Sequence, residues 1–532
     1  MAATRRALLS SGLAVALAAP ALRRAAAEAA SRLALLHVND FHSKHEGVDA
    51  ASAACRADRP CIGGSARLAT ALAEGRAAIA ADGRALLQLD AGDQFMGSLF
   101  YTAHHGLAEA AVQRAIGTGV MALGNHEFDN GPGVLAGYAA AVPFPLLSAN
   151  LDTSREPLLD GRIRPHVVLD RGGARIGIIG LTTETTPQGS SPGPTLRFTD
   201  AFAAAERSIA AIRAGGPATI VILSHLGLGV DQALAAAVPG IDLIAGGHSH
   251  TLLANGLTGA AGPHPTLVEG RDRTVRIVQS GCHGRWLGRL DLDLGADGRI
   301  AAHAGAVREI TPDIVPDPQV AAIVARYAAP LAEWRARPVG RLAVPLSIEL
   351  CREAECALGN LLADAMLAAE PQAEIALTNG GGLRANLPAG TVSWGDVLSL
   401  VPFSNTLATL TLRGGALRAA LENGLSQLDR KGGRFPQVAG LKVEYDAAAP
   451  AGRRIRTVEV RQGDRFVPLE PDRAYRIVTN NFMRQGGDGY AALRDDALEA
   501  YDNGPALEDM LAAYLDARPG LSVAVEGRLV SR

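Results

Sequence analysis

Lysine is nearly missing from this 532-residue chain, standing only at 44, 431 and 442. Arginine supplies the rest of 51 basic residues against 54 acidic ones, for a net charge of −3. With no dominant sign, a general binder of nucleic acid or anionic membrane is excluded. We read the arginine bias as genomic composition. Aromatic residues are scarce at 4%, so an aromatic in a Gly/Asn/Pro-rich loop stands out. Past residue 30 no apolar run approaches the roughly 20 residues that span a bilayer. Sixty Gly and 29 Pro are too few and too evenly spread for collagen or a low-complexity array. What is present, 48% hydrophobic and 20% charged residues, excludes a disordered chain. The length predicts two or three domains.

Residues 1–30 read as an export signal. Arg5 and Arg6 precede an apolar, Ala-rich run from Gly12 to Leu22, and small residues follow at Ala25–Ala27. The order Thr4-Arg5-Arg6-Ala7-Leu8-Leu9 resembles a twin-arginine signal. The ending Glu526-Gly527-Arg528-Leu529-Val530-Ser531-Arg532 offers no lipid-anchor tail. The expectation is a periplasmic or secreted protein without a stable membrane anchor, monomeric by default. Of five cysteines, Cys55 and Cys61 lie six apart and Cys351 and Cys356 five apart. In an oxidising compartment each pair can close a short loop, although four cysteines allow three connectivities. Cys282 is left over and reads as a small buried hydrophobe.

The first half alternates apolar strands with polar endings. Leu33–Val38 runs into Asn39-Asp40-Phe41-His42, and Ala85–Leu89 into Asp90-Ala91-Gly92-Asp93. Val120–Leu123 runs into Gly124-Asn125-His126-Glu127, Thr219–Leu223 into Ser224-His225, and Asp242–Ala245 into Gly246-Gly247-His248-Ser249-His250. Helical patterns at 107–116 and 201–214 lie between them. Loops at one edge of a layered α/β sheet converge, so these endings predict a ligand site. Asp40, His42, Asp93, Asn125, His225, His248 and His250 offer N/O ligands without a thiolate, unlike a structural zinc knuckle. Seven donors exceed one tetrahedral ion and suit two divalent cations about 3.5–4 Å apart, bridged by a carboxylate. Zn, Mn, Co and Fe all fit such donors. Any one pair alone reads as an ordinary turn; five in order, each after an apolar strand, do not. His126 and Asp129 lie three apart, close enough for the carboxylate to orient the imidazole.

A helix-like stretch from Asp317 to Arg337, interrupted by Pro330, divides the chain. Beyond about 341 the strands Ile375–Thr378, Thr406–Leu412 and Tyr475–Thr479 alternate with helices Ala357–Ala369 and Ala416–Leu425. Arg352 sits between two cysteines, and Asn379-Gly380-Gly381-Gly382-Leu383-Arg384 follows a strand. Phe403 and Phe482 stand in loops, and Asp488 lies in Gly486-Gly487-Asp488-Gly489-Tyr490. Two arginines can grip phosphate oxygens, two aromatics can sandwich a base, and a carboxylate can accept from ribose hydroxyls. On composition alone the two Phe read as ordinary core.

The signatures Asn39-Asp40-x-His42, Gly92-Asp93, Gly124-Asn125-His126-Glu127, Ser224-His225 and Gly247-His248-Ser249-His250 resemble calcineurin-like metallophosphoesterases. Gly63-Gly64-Ser65-Ala66-Arg67 and Leu89-Asp90-Ala91-Gly92-Asp93-Gln94 resemble the 5′-nucleotidase family more closely, over about 33–530. The resemblance implies a two-domain α/β (α+β) fold. An export signal at 1–30 precedes a four-layer αββα metallophosphoesterase sandwich at 31–316. A linker helix at 317–340 joins it to a nucleotide-binding α/β domain at 341–532. It implies hydrolysis of nucleoside 5′-monophosphates by in-line attack of metal-activated water, with UDP-sugars or nucleoside di- and triphosphates as further substrates. Two divalent ions (Zn, Mn or Co) are implied as cofactors, with His126 and Asp129 catalytic. Arg352, Asn379 and Arg384 are implied to hold phosphate and ribose, Phe403 and Phe482 the base, and Asp488 the ribose. The resemblance also favours the pairings Cys55–Cys61 and Cys351–Cys356. His250 departs from the pattern, where relatives often carry Gln or Asn. The alternatives are a 2′,3′-cyclic nucleotide 2′-phosphodiesterase/3′-nucleotidase or a thiosulfohydrolase on the same fold, and a non-catalytic nucleotide-binding protein.

Overall fold

The computed structural model describes residues 31–48, 61–403, 405–428 and 431–532. The expected export signal and Cys55 lie outside them.

Strand Ser31–Val38 shows how the first half is built. Leu33 and Leu35 point into one apolar cluster, Ala34 and Leu36 into another. That period of two, apolar on both faces, marks a strand covered on both sides. The strand belongs to a seven-stranded sheet ordered Ile300–Glu309, Trp286–Leu294, Ser31–Val38, Ala85–Asp90, Val120–Ala122, Leu146–Leu147, Ile163–Arg164. A six-stranded sheet runs Thr266–Glu269, Thr274–Val278, Leu243–Gly246, Thr219–His225, Ala174–Thr182, His166–Arg171. Leu33, Leu35, Leu87 and Leu89 meet Ile176, Ile178, Val221 and Leu223 in the core between the two sheets. Helices Ser65–Ala81 and Leu107–Ile116 cover one outer face, with Leu68, Leu72 and Ile116 packed on Leu36. Helices Ala201–Ala214 and Leu228–Ala237 cover the other, with Ile209 and Leu234 packed on Ile220 and Ile222. This is the four-layer αββα sandwich.

Register positions the site. Ser31–Val38 pairs in parallel with Ala85–Asp90, Val38 opposite Asp90, and Asp90 pairs with Met121. In the second sheet His225 lies opposite Thr182 and Ser224 opposite Gly246, again in parallel. The loops after residues 38, 90, 122, 225 and 246 therefore leave the two sheets at matching ends.

Helix Pro318–Ala328 follows, and a second helix, Leu331–Ala336, starts after Pro330, so the proline interrupts the stretch. Its ring has no N–H to donate and clashes with the preceding turn. Strand Pro338–Leu342 begins inside the span read as linker. The second half holds a five-stranded sheet ordered Pro436–Ala439, Ile375–Asn379, Ala474–Asn480, Leu407–Arg413, Glu499–Tyr501. Leu99, Phe100 and Leu331 share one buried cluster with Leu358, Leu507 and Leu511, so the halves pack together. Cys351 is bonded to Cys356, which caps helix Ala357–Ala369. Cys61 is disulfide-bonded. Cys282 is free and half-buried, not the core residue its composition suggested. Among the described residues no helix is long and apolar enough to cross a membrane.

Candidate metal centre

The strand ends bring six of the seven candidate ligands together, and Asn125 precedes His126, whose backbone N–H meets Asp93. Donor atoms of Asp40, His42 and His250 lie within 4.8 Å of one another, as do those of Asp93, His225 and His248. Asp93 stands between the groups: its Oδ2 lies 3.0 Å from His225 Nε2 and 3.8 Å from His42 Nε2. Its Oδ1 accepts from the His126 backbone N–H at 2.9 Å. Asp40 accepts from the His248 backbone N–H and, at 2.6 Å, from Asn39 Nδ2. Asp40, His42, Asp93, His248 and His250 all have φ between 50° and 71°. Such backbone costs about 1–3 kcal/mol per residue and gathers where function requires it.

The imidazoles are oriented by carbonyls, which can only accept. His225 Nδ1 donates to Ala91 O at 2.7 Å and His42 Nδ1 to Phe95 O at 3.1 Å. Nε2 is thereby the ring atom turned towards the carboxylates, and on His225 a cation would displace the proton shared with Asp93. His42 Nε2 and His250 Nε2 face each other at 2.9 Å. Asn125 Oδ1 and Nδ2 are buried without a hydrogen-bond partner. A buried orphan costs about 1–3 kcal/mol, which a cation held by Asn125 Oδ1 would relieve. The donor set therefore fits divalent cations of the Zn, Mn, Co type.

Without metal, the acidic and basic groups of the centre pair with one another. Burial pushes Asp93 up, but His225 and His126 outweigh it and hold the carboxyl well below its usual range. Burial pulls His225 down, but Asp93 outweighs it and lifts the imidazole to about 10. Burial, helped by His225, drops His248 to about 3. His126 Nδ1 meets Asp129 Oδ2 at 2.9 Å, as the spacing predicted. Burial opposes its charge, but Asp129 and Asp93 raise His126 to about 9. Ser190 Oγ donates to the other Asp129 oxygen at 2.8 Å.

Glu127 was quoted in a motif but given no role by sequence reasoning. Its carboxylate accepts from the backbone N–H of Asp93, Gln94, Phe95 and Gly124, tying two ligand loops together. Gly124 is required by close approach, since a Cβ there would lie 2.1 Å from Asp93 Oδ1. Asn503, also missed, reaches over from the second half, its Nδ2 3.1 Å from His248 Nε2. Arg484 grips Asp502 beside it through two hydrogen bonds. No local spacing could have signalled a contact 255 residues apart.

In the second half, Asn379 Nδ2 donates to Asp488 Oδ2 at 2.7 Å, and Asp488 has φ 53°. The Arg384 guanidinium lies 5.5 Å from the Phe403 ring centroid. Gly380 packs so closely on the Cys351–Arg352 backbone that a Cβ would clash, which places Arg352 beside the Asn379 loop. Phe482 stands on a one-turn helix, Asn481–Arg484, rather than in a loop; it is 42% exposed and its ring lies over Gly487.

Family models agree with this arrangement. Residues 33–252 match calcineurin-like phosphoesterases, and residues 338–495 match the 5′-nucleotidase C-terminal domain. The 5′-nucleotidase of Diplobatis ommata is 34% identical over 94% of this chain and 90% of its own length. The human 5′-nucleotidase is 32% identical over 94% and 91%. The crystal structure of a 5′-nucleotidase precursor from Thermus thermophilus is 38% identical, with TM-score 0.61, over 94% of this chain and 99% of that one. The fold and site define a calcineurin-like phosphoesterase, a class that works with divalent metals. Within it, the chain belongs to the 5′-nucleotidase family. It is an enzyme, a phosphoric monoester hydrolase of 5′-nucleotidase type.

Proposed function

We propose that this enzyme removes phosphate from nucleoside 5′-monophosphates with two divalent cations, Zn, Mn or Co. Nucleoside di- and triphosphates and UDP-sugars are further candidate substrates. Asp40, His42 and His250 would hold one cation, and Asn125, His225 and His248 the other, with Asp93 shared. The observation that carries this reading is the Asp93 carboxylate, within 3.8 Å of an imidazole from each group. When bound, the cations supply Lewis acidity toward phosphoryl oxygens and acidify the attacking water.

The chain's own residues do the rest. Asp129 fixes the His126 tautomer through Nδ1 and holds the ring protonated, leaving Nε2–H to donate to a phosphoryl or leaving-group oxygen. Arg352 and Arg384 grip phosphate oxygens and Asn379 helps orient the ribose. Phe403 and Phe482 hold the base, and Asp488 accepts from ribose hydroxyls. A substrate that bridges both halves requires them to part for loading and release. A covalent tether between the halves that spared turnover would refute that motion. We place the enzyme in the periplasm or outside the cell, as a monomer. The Cys351–Cys356 disulfide supports an oxidising compartment.

The test is a substrate panel of AMP, ADP, a UDP-sugar, 2′,3′-cyclic AMP and a thiosulfate ester, with a His126→Ala variant alongside. AMP turnover that collapses in the variant supports the reading. Turnover of the cyclic nucleotide alone, or of the sulfur ester alone, replaces the substrate and keeps the chemistry. Nucleotide binding without any turnover would make the chain a binding protein.

A further inference from the structure

Beside the N/O cluster lies a third group, two of whose members, Cys282 and His283, the proposed chemistry does not use. One donor atom each from His250, Cys282 and His283 lie within 4.8 Å of one another. Cys282 is the free thiol, half-buried and so open to solutes. His283 is 7% exposed, and its Nδ1 has no hydrogen-bond partner. Its backbone is fixed at φ 60°, with its N–H donating to Asp40 O at 2.7 Å. Its ring stands edge-on to His250 and to His42, 5.8 Å from each centroid.

We infer that His250, Cys282 and His283 form a third cation site, selective for thiophilic ions such as Zn²⁺, Co²⁺ or Cd²⁺. Two imidazoles and one thiolate are three of the four ligands such ions take, and water completes the set. Mn²⁺ and Mg²⁺, which prefer oxygen, are disfavoured by this donor set. Binding releases the thiol proton to solvent. His250 belongs to this group and to the Asp40–His42 group, so one ring couples the two sites. Filling the thiol site therefore weakens the Asp40–His42 site. An excess of Zn²⁺ slows turnover supported by Mn²⁺. This coupling rests on the dimetal reading above; the site itself does not.

The test is a Co²⁺ titration of the chelator-stripped full chain, read by the near-ultraviolet thiolate-to-cobalt charge-transfer band. The expected result is a band that saturates as total binding approaches three ions per chain. Cys282→Ser loses the band and one ion per chain. His283→Phe weakens the band-forming step at least tenfold. No band while two ions bind and support AMP turnover would overturn the thiol site and leave the dimetal reading intact. A band that survives Cys282→Ser would also overturn it, and no cobalt binding at all would contradict both. Should the serine variant fail to fold, alkylation of Cys282 in the unaltered chain is the second measurement. Stoichiometric Zn²⁺ is expected to slow it at least tenfold, and an unchanged rate refutes the site.

Discussion

Replacing Glu127 with Gln changes one atom of a side chain that touches no substrate, yet it should disable the centre. Oε1 accepts from Gln94 N–H at 2.8 Å and Phe95 N–H at 3.3 Å. Oε2 accepts from Asp93 N–H at 3.0 Å and Gly124 N–H at 2.6 Å. Glu127 is fully buried, so no water can substitute. A glutamine keeps one acceptor oxygen and aims an NH₂ at two N–H donors, whichever way it is flipped. Two backbone donors are orphaned, each at about 1–3 kcal/mol, giving about 2–6 kcal/mol in all. That penalty falls on the loops bearing Asp93 and Asn125, where lost support for a ligand typically costs about 10–100-fold in metal affinity or activity. Glu127→Gln should therefore bind Mn²⁺ about 10–100-fold more weakly and melt several degrees lower without added metal. The assay is equilibrium dialysis with metal analysis, beside AMP turnover at saturating Mn²⁺. Affinity and turnover within twofold of the parent would show that something else holds the Asp93 loop.

Gly124→Ala places a methyl 2.1 Å from Asp93 Oδ1. A shift of about 1 Å at a reacting centre costs on the order of 100-fold, so kcat for AMP should fall by about that factor with loss of bound metal, both measured on one preparation. Asp129→Ala frees the His126 ring, so kcat should drop about 10²–10⁴-fold while KM changes little; Ser190→Ala, which leaves the His126–Asp129 bond in place, should lose far less, as steady-state kinetics will read. Phe482→Ala should raise KM for AMP, since stacking on a base is worth about 1–3 kcal/mol. The same variant should leave hydrolysis of a simple aryl phosphate unchanged, and equal losses on both substrates would remove Phe482 from base recognition.

The strand endings were legible because each combines two independent signals, an apolar run and a polar turn. Helices Leu107–Ile116, Ala201–Ala214 and Ala357–Ala369 lie at the bounds the sequence suggested. In the last two, repeating apolar positions are framed by Asp200 and Gly215, and by Cys356 and Glu370. The hairpin of Trp286–Leu294 and Ile300–Glu309 turns at Gly295-Ala296-Asp297-Gly298, a turn without the His or Asn that marks the ligand loops. Glu127 was invisible as a clamp because its partners are backbone N–H groups, which leave no trace in side-chain spacing. Cys282 was read as core because a lone cysteine carries no pattern. His283 follows it directly, but His250 comes from another loop, and only the fold brings all three together.

The central claim is that two cations on one shared carboxylate drive phosphate release. The most direct test strips the chain with chelator, returns Mn²⁺ in measured equivalents, and follows phosphate release from AMP at each step. Turnover that is negligible without metal and completes as the second equivalent binds is the predicted result. Full turnover at one equivalent, or in the stripped enzyme, would contradict it.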